Sequence, residues 1–323
     1  MNRLAVLTSG GDAPGMNAAI RAVVRVAASR DCEVFGVRHG YRGLLEDAFV
    51  ALGPRDVGGV MERGGTLLGT ARCPALLTPA GQAEAVRRLA ARGIDALVVI
   101  GGNGSQSGAH ALSQAGVRVA GVASTIDNDL VGSDITIGTT TAVDVALESV
   151  DRLRVTASAV GRVFLVEVMG RDCGYLATTV GIASGAEAIV TPEAPQTPEE
   201  VAAILRAAYA RGKSHAIAIV AEGAATSVQA LATHFQEHER RLGFDVRLCR
   251  LGHVQRGGAP GSTDRLLATR LGAAAAEALA AGTHGVLAGL RQGAVALTPL
   301  AEVAGRVKPA EHALVALAQV LAH

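Results

Sequence analysis

The sequence predicts an α/β protein with mainly parallel sheets covered by helices. Short apolar, β-branched runs alternate with stretches of helical period from end to end, which is typical of a wound parallel sheet. Hydrophobic residues make up 49% of the 323 residues and charged residues 18%, so the chain can bury a sizeable core. At about 100 to 200 residues per domain, this length favours two domains, with one large domain as the alternative.

The predicted strands are short runs of apolar residues. In chain order they are 3–8, 33–38, 95–100, 118–122, 163–168, 187–191, 216–221 and 246–251. Helical patterns lie between them. Within 139–158, Val143 and Leu147 fall on one face, and Glu148 and Arg152 form an i,i+4 pair of opposite charge. If two domains exist, the polar loops 122–139 and 252–263 are the expected crossings.

Charge and aromatic content exclude several functional classes. The net charge of +1, from 30 basic and 29 acidic residues, creates no global field toward nucleic acid or an anionic membrane. Aromatic residues make up 2%, with no Trp, which excludes a nucleic-acid binder built on stacking platforms. Lysine occurs only at Lys213 and Lys308, which excludes a lysine-based Walker P-loop. The abundant Arg suits phosphate binding, although a GC-rich genome explains the same bias.

Cysteine usage and the chain start indicate a cytoplasmic protein. The sequence has no C-x-x-C pattern and therefore suggests neither a zinc site nor a disulfide framework. The cysteines are Cys32, Cys73, Cys173 and Cys249. A strand is expected from Arg3, rather than a signal peptide, and the Ala-rich run 273–282 is broken by Glu277 and too short for a membrane span.

Two glycine-rich junctions follow predicted strands. The first is Ser9-Gly10-Gly11-Asp12, which contains neither G-x-G-x-x-G nor G-K-[ST]; the second is Gly101–Ser105, with Gly108 one turn later. Glycines let a ligand approach the backbone, and free N–H groups at a helix start attract an anion. An ordinary βα turn is the alternative for the first one. Together, at the carboxyl ends of strands of one sheet, they predict a phosphate-binding crevice.

A third loop, Ser124–Asp129, follows the predicted strand 118–122 and contains Asp127-Asn128-Asp129. Of two carboxylates separated by one residue, one can deprotonate a hydroxyl while the other holds Mg²⁺. Asp-Asn-Asp is also good turn chemistry with no function. The neighbouring glycine junctions favour the functional interpretation.

Several arginines fall at turns and strand ends rather than on helix faces. An Arg flanked by glycines has room to bind a phosphate through two hydrogen bonds, whereas a lone loop Arg is more often a solvated charge. The set is Arg72, Arg162, Arg171, Arg247 and Arg256. Together these arginines predict a site for more than one phosphate.

With these motifs the chain resembles the bacterial ATP-dependent 6-phosphofructokinases over almost its whole length. The segments that carry the resemblance are 7–12, 70–74, 125–129, 167–171, 221–223 and 251–258. The resemblance implies two wound α/β domains with the active site in the cleft between them. An ATP-binding domain would comprise 1–138 plus 255–304, and a domain for fructose 6-phosphate would comprise 139–254 plus 305–323. It further implies Mg²⁺ as cofactor and a homotetramer.

The implied reaction is transfer of the ATP γ-phosphoryl group to the 1-hydroxyl of fructose 6-phosphate. In the family, the Asp matching Asp127 is the base, helped by the Thr matching Thr125, and the Arg matching Arg171 steadies the transferred charge. The residues matching the nucleotide site are Gly11, Tyr41, Arg72, Cys73, Gly102, Asn103, Gly104, Ser105 and Gly108. Asn103 and Asp129 match positions expected near the metal.

The resemblance also implies a sugar-phosphate site and an effector site. The sugar-phosphate residues are Thr125, Asp127, Arg162, Met169, Gly170, Arg171, Glu222, Arg247, His253 and Arg256, with Arg162 and Arg247 reaching in from a neighbouring subunit. The residues matching the effector site, for a nucleoside diphosphate or phosphoenolpyruvate, are Arg21, Arg25, Arg154, Glu187, Arg211, Lys213 and His215. Arg21 and Arg25 are spaced i,i+4 on one helix face. This spacing fits either two solvated surface charges or a pair that binds one phosphate.

The chain departs from the family pattern around the catalytic motifs. Asn103 replaces an Asp that helps to hold Mg²⁺, and an amide oxygen lacks the negative charge that this ion prefers. Ser124 replaces a Gly, Gly138 is followed by Thr139-Thr140-Thr141, and Asp172 adds a negative charge beside the phosphoryl path. We expect a working ATP-dependent enzyme. The alternatives are a weakly active or inactive regulatory paralogue and, ranked low because Asp at 104 and Lys at 124 are missing, a pyrophosphate-dependent enzyme.

Overall fold

Strands and helices alternate along most of the chain. The structure, a computed structural model, describes residues 1–321. The strands are β1 Arg3–Thr8, β2 Glu33–Val37, β3 Phe49–Ala51, β4 Ala96–Gly101, β5 Val119–Ala123, β6 Val163–Val168, β7 Ala188–Val190, β8 Ala216–Ala221, β9 Val246–Arg250, β10 Val286–Arg291 and β11 Ala294–Pro299. The helices are α1 Met16–Ala28, α2 Gly40–Leu45, α3 Pro79–Ala91, α4 Asn103–Gln114, α5 Thr139–Val160, α6 Tyr175–Ser184, α7 Pro198–Ala210, α8 Val228–Glu237, α9 Glu239–Leu242, α10 Ser262–Ala280, α11 Leu300–Val303 and α12 His312–Leu321.

The described residues form two compact units. The first comprises Met1–Ile126, Leu130–Thr141 and Arg256–Val307, and the second comprises Asp127–Asp129, Ala142–Gln255 and the chain from Lys308 onwards. The division expected from the sequence assigns a few short stretches to the other unit, namely 127–129, 139–141, Gln255 and 305–307. Residues 127–129 group with the second unit partly because the Lys308 amide donates a 2.7 Å hydrogen bond to the Asp129 carbonyl.

The first unit contains a sheet of order β11-β10-β5-β4-β1-β2-β3. Its inner strands pair in parallel, and β3 and β11 pair antiparallel at the edges. Every residue of β4 is buried, as expected for a central parallel strand covered on both faces. Helices α1 and α10 pack together, and a Cβ at Gly272 would lie 2.6 Å from the Ala19 carbonyl oxygen. Only glycine allows the two helices to approach this closely.

The second unit contains a fully parallel sheet of order β7-β8-β6-β9. Strand β8 is buried along its whole length. The register pairs Val168 with Ala221 on one side of β6 and Glu167 with Arg250 on the other. The loops that follow β6, β8 and β9 therefore leave the same edge of the sheet.

The predicted α/β class with mainly parallel sheets is confirmed. Each predicted strand is present, with ends shifted by one residue at most. Strand β3, a three-residue edge strand, and the β10–β11 hairpin were not predicted from the sequence. The hairpin turn places Gln292 and Gly293 at positive φ of 52° and 77°, where Asn-Gly is the usual signal. Because Gln stands in the first position, the turn leaves a weak trace in the sequence.

The structure also bears on the expectations that the chain has neither a membrane span nor a disulfide framework. Over residues 1–321, no helix combines the length and apolar character needed to cross a membrane. The Ala-rich run around Glu277 lies in α10. The four cysteines are free thiols in the structure.

Candidate active site

The strand ends of the first sheet bring three polar loops together. Strands β1, β4 and β5 are neighbours, and the register pairs Thr8 with Ile100 and Gly101 with Ala123. The Ser9 amide donates to the Ile100 carbonyl at 3.0 Å, and the Ser124 amide donates to the Gly101 carbonyl at 3.3 Å. The two glycine junctions and the start of the third loop are therefore adjacent at one edge of the sheet.

The two glycine junctions meet at the hydroxyl of Ser105. A Cβ at Gly10, which has φ +84°, would lie 3.2 Å from Ser105 Oγ, and a Cβ at Gly101 would lie 2.5 Å from it. Ser105 Oγ is buried and has no hydrogen-bond partner among residues 1–321. It lies in the first turn of α4, where exposed N–H groups favour an anion. A phosphate oxygen would satisfy this buried hydroxyl.

Arg256 lies against the first glycine junction. Its side chain is buried, and Nη1 donates to the Asp12 carbonyl at 2.9 Å. A Cβ at Gly11 would lie only 2.6 Å from Nη1. The glycine at position 11 is therefore what makes room for this guanidinium, which adds positive charge where phosphate is expected.

Tyr41 packs against the first turns of α4. Its hydroxyl donates to the Ser105 carbonyl at 2.6 Å, and its ring would contact a Cβ at Gly108 at 2.8 Å. Burial raises the pKa of the Tyr41 phenol well above its ordinary value, so the hydroxyl stays a donor. Arg72 is exposed and Cys73 is half-buried.

Asn103 and Gly104 are the first residues of α4, next to Gly102 at its N-cap. The Asn103 carbonyl accepts a 3.0 Å hydrogen bond from the Ser107 hydroxyl. Gly104 is exposed, and a Cβ there would have no heavy atom within 4 Å. A Cβ at Gly102 would lie 3.2 Å from the Cβ of Thr125, so this glycine brings Thr125 close to α4.

Thr139, one of the residues that depart from the family pattern, contacts the backbone of Thr125. The Thr125 carbonyl accepts hydrogen bonds from the hydroxyls of Thr136, at 2.6 Å, and Thr139, at 3.0 Å. The buried carboxylate of Asp264 accepts from the amides of Gly138 and Thr141, both at 2.8 Å. Buried hydroxyls and a carboxylate thus support the backbone around Thr125.

In the second unit, side chains from distant segments hold Met169–Gly174, which we call the Arg171 loop. The Met169 amide donates to Gln255 Oε1 at 2.9 Å, and the Arg171 amide donates to Glu222 Oε1 at 2.8 Å. A Cβ at Gly223 would lie 1.9 Å from the Arg171 carbonyl oxygen, so the loop lies directly on that glycine. His253 is exposed two residues before Gln255.

Asp127 and Arg171 form an ion pair in this unit. Arg171 Nε lies 3.6 Å from Asp127 Oδ2. The Asp127 side chain is 5% exposed and the Arg171 side chain is 66% exposed, so a buried carboxylate faces a guanidinium that still reaches solvent. Asn128, in the segment 127–129 that we call the Asp loop, has φ 53°, and Arg171 has φ 51°. Left-handed backbone at non-glycine residues concentrates at functional sites, because surrounding contacts must maintain it.

Arg162 and Arg247 share one carboxylate. Arg162 Nε and Arg247 Nη1 each lie 2.8 Å from an oxygen of Asp245. The two arginines flank the β6–β9 pairing, in which Phe164 aligns with Arg247. Asp245 therefore orients both guanidiniums as a pair.

The effector residues expected from the sequence lie in both units. Glu187 is buried, pairs with Lys213 Nζ at 2.6 Å and accepts from the Ile217 amide at 2.6 Å. Arg154 Nη2 donates to the Ser184 carbonyl at 2.5 Å. The others are placed as follows: Arg211 at the C-cap of α7, His215 before β8, and Arg21 and Arg25 on α1 of the first unit.

Sequence reasoning missed three residues that hold the site. Gln255 lies within the segment 251–258, but it contacts Met169, which is distant in sequence. Glu193 accepts from the Gly174 amide at 2.9 Å, and Lys308 contacts the Asp loop through its amide. The rarity of lysine was the only sequence signal for Lys308, and Glu193 had none.

Comparisons with known proteins agree with one another. Residues 3–279 match the family model described as Phosphofructokinase. The chain is 52% identical over 324 residues to the ATP-dependent 6-phosphofructokinase 1 of Thermus thermophilus, covering 100% of both. It is 47% identical over 291 residues to the ATP-dependent 6-phosphofructokinase of Bacillus mycoides, covering 90% of both. The solved phosphofructokinase of Pichia pastoris in the T-state superimposes with a TM-score of 0.89 at 36% identity, over 94% of this chain and 35% of that one.

Proposed function

Because this chain belongs to the phosphofructokinase family, we infer that it transfers the γ-phosphoryl group of ATP to the 1-hydroxyl of fructose 6-phosphate. It is a kinase of glycolysis, and its curated relatives carry the same activity in their names. The observation in the fold that supports this function best is the ion pair of buried Asp127 with exposed Arg171 at 3.6 Å. A carboxylate beside a guanidinium supplies a base and a stabiliser of transferred charge in one place.

In the proposed reaction, Asp127 accepts the proton of the 1-hydroxyl as that oxygen attacks the γ-phosphorus. The bond from the γ-phosphorus to the bridging oxygen breaks, and ADP leaves. Arg171 stabilises the charge that spreads over the transferred group, and Thr125 positions the hydroxyl. Positioning and charge neutralisation supply most of the catalysis in phosphoryl transfer.

We assign the ATP phosphates to the junctions at the start of α4 and α1. The buried Ser105 hydroxyl and the N–H groups of the α4 start would bind phosphate oxygens. Arg72 is a further proposed contact of the phosphates, supported by the 2.7 Å hydrogen bond that Thr70 Oγ1, two residues earlier, donates to the Gly10 carbonyl. The proposed contacts of the rest of the nucleotide are Gly11, Tyr41, Cys73, Gly102, Gly104 and Gly108.

Mg²⁺ is the proposed cofactor, and the donor set fits a metal that arrives with the nucleotide. Over residues 1–321, no group of three or more His, Cys, Asp or Glu side chains converges to hold a metal. Mg²⁺ commonly uses one or two protein oxygens with substrate phosphates and water. The carboxylate of Asp129 and the amide oxygen of Asn103 are the proposed protein ligands. When bound, the ion would neutralise charge on the β- and γ-phosphates.

We assign the sugar phosphate to the strand ends of the second sheet. Glu222, Met169, Gly170 and His253 follow neighbouring strands there. Arg256 is a further proposed contact of the sugar phosphate. Asp245 holds Arg162 and Arg247 as a pair, and we propose that this pair binds the sugar phosphate of a neighbouring subunit in a homotetramer.

A separate anion site is proposed for an allosteric effector. Its basic residues are Arg21, Arg25, Arg154, Arg211, Lys213 and His215, and buried Glu187 orients Lys213. A nucleoside diphosphate or phosphoenolpyruvate is the proposed ligand, because each carries the phosphate that such a set binds.

Turnover of fructose 6-phosphate tests the proposed function. The purified chain should convert it to fructose 1,6-bisphosphate with Mg-ATP in a coupled assay, and pyrophosphate should not replace ATP. Binding of the sugar measured by calorimetry separates binding from catalysis. Sugar binding without turnover with Mg-ATP, Mn-ATP or pyrophosphate would sink the kinase assignment and leave the regulatory paralogue.

Asn103→Asp tests the departure at the metal position. A carboxylate in place of the amide should raise kcat with Mg-ATP by about tenfold, because Mg²⁺ prefers a charged oxygen among its few protein ligands. Steady-state kinetics with Mg²⁺ and Mn²⁺ check this result. An unchanged or lower kcat would show that the site is rebuilt around the amide. Gln114→Glu, the same exchange of an amide for a carboxylate at an exposed position of α4, is the control for a general effect on the helix.

Gly104→Asp tests whether the start of α4 binds the nucleotide phosphates. The fold should tolerate the change, because a Cβ there has no heavy atom within 4 Å. The added negative charge should raise the KM for ATP by about tenfold through repulsion of the triphosphate. Gly104→Asn, of the same size without charge, is the matched control. Equal KM values for the two variants would contradict the placement of the phosphates.

A further inference from the structure

The chain from Lys308 to Ala310 contacts both loops that carry the proposed catalytic residues. The Lys308 amide donates to the Asp129 carbonyl at 2.7 Å, and Lys308 Nζ lies 3.4 Å from Asn128 Oδ1. All of these residues belong to the second unit. Lys308 therefore contacts two residues of the Asp loop, Asn128 through its side chain and Asp129 through its backbone.

Two residues further on, the same segment contacts the Arg171 loop. The Ala310 amide donates to Glu193 Oε1 at 2.9 Å, and the carboxylate of Glu193 also accepts from the Gly174 amide at 2.9 and 3.1 Å. Ala310 and Val315 pack against the buried Cys173 of that loop. Burial raises the pKa of the Cys173 thiol to about 11, so the thiol is neutral near pH 7 and adds no charge there.

Both loops need support from outside, because each contains a non-glycine residue in left-handed backbone conformation. Asn128 has φ 53° and Arg171 has φ 51°. Such residues persist only where neighbouring contacts hold them. The side chains that the loops present, Asp127 and Arg171, are 3.6 Å apart, so a small shift of either loop changes the reacting geometry.

We propose that Lys308 is a positioning residue for the reaction, because its amide and ammonium hold the Asp loop while the segment Lys308–Ala310 connects that loop, through Glu193, to the Arg171 loop. The proposal rests on the proposed function, since it concerns the placement of Asp127 and Arg171 for phosphoryl transfer. Lys308 touches neither substrate nor nucleotide in this role.

Lys308→Met is the test, since it keeps the length of the side chain and the backbone donor but removes the ammonium group. The kcat with fructose 6-phosphate and Mg-ATP should fall about 10- to 100-fold, the cost of misplaced reacting groups, while the KM for the sugar changes by less than about threefold. Lys308→Arg keeps a cationic donor and should recover most of the lost kcat. Arg306→Met, at an exposed position two residues before Lys308, is the matched control and should behave as wild type.

Hydrogen–deuterium exchange supplies a readout that does not depend on activity. In Lys308→Met, the amides of residues 127–130 should exchange faster than in wild type, because the Asp loop loses its contact with the ammonium group. The amides of residues 170–174 should also exchange faster, because the segment Lys308–Ala310 that connects the two loops is then held less firmly. Amides of β1 and β4, in the first unit, should be unchanged. Equal exchange rates in the loops would overturn the proposal even if the variant had lost activity through lower stability.

The outcomes separate this proposal from the proposed function. An active wild-type chain with unchanged kcat in Lys308→Met overturns the role of Lys308 alone. A fall in kcat that Lys308→Arg fails to recover, with unchanged loop exchange, also overturns it. A wild-type chain with no turnover overturns the proposed function, and the positioning role with it.

Discussion

Asp127→Ser should lower kcat by about 10⁴-fold, the largest effect expected from any single change in this chain. Asp127 is the proposed base, and its carboxylate is 5% exposed beside Arg171. A serine hydroxyl cannot accept the proton of the sugar hydroxyl near neutral pH, so the attacking oxygen loses its activation. Binding of fructose 6-phosphate should change little, because the residues proposed to bind its phosphate are retained.

Initial rates with Mg-ATP, together with calorimetric binding of the sugar, check this expectation. The control is Asp144→Ser, which removes an exposed carboxylate from α5 and should keep full activity. Asp127→Ser with kcat within about tenfold of wild type would contradict the role of Asp127 as base. Loss of sugar binding with the fold intact would instead place Asp127 in substrate recognition.

Arg171→Met should lower kcat by about 10³-fold, as expected when the group that stabilises transferred charge is removed. The kcat/KM for each substrate should fall by a similar factor, because the interaction belongs to the transition state rather than to the bound substrate. Arg171→Lys should recover only part of the rate, since an ammonium group cannot reproduce the planar guanidinium.

The control for this change is Arg152→Met, which removes an exposed arginine paired with Glu148 on α5. Exposed pairs at this spacing contribute little to stability, so the control should match wild type in rate and in Tm. A higher KM with unchanged kcat in Arg171→Met would assign Arg171 to binding in the ground state. That result would remove it from the proposed catalytic group.

Local pattern was enough to predict most of the fold. The buried strands β4 and β8 are continuous apolar runs, and such runs specify parallel strands covered on both faces. The β10–β11 hairpin escaped prediction because Gln292 adopts a left-handed conformation that its residue type does not signal. The family resemblance assigned residues 127–129 to the ATP-binding domain, whereas in the structure they group with Lys308.

The residues of the candidate site also fall into two groups, those that local patterns predicted and those that only long-range contacts place. Glycines at strand ends, the Asp-Asn-Asp motif and arginines next to glycine are local patterns, and they marked Gly10, Asp127 and Arg171. Gln255 and Glu193 have no such pattern, because each supports a loop that is distant in sequence. The packing of Arg256 against Gly11 also spans most of the chain.

By itself, the sequence determined the α/β class, the motifs that carry phosphate chemistry and the resemblance to one enzyme family, because these depend on residue type and short spacing. The tertiary structure alone decided which side chains maintain the strained Asn128 and Arg171 backbones. Those contacts come from Glu222, Glu193 and Lys308, which are far from the loops in sequence. Folding brings such groups together through packing of whole elements, and packing leaves no periodic trace in the residues that it joins.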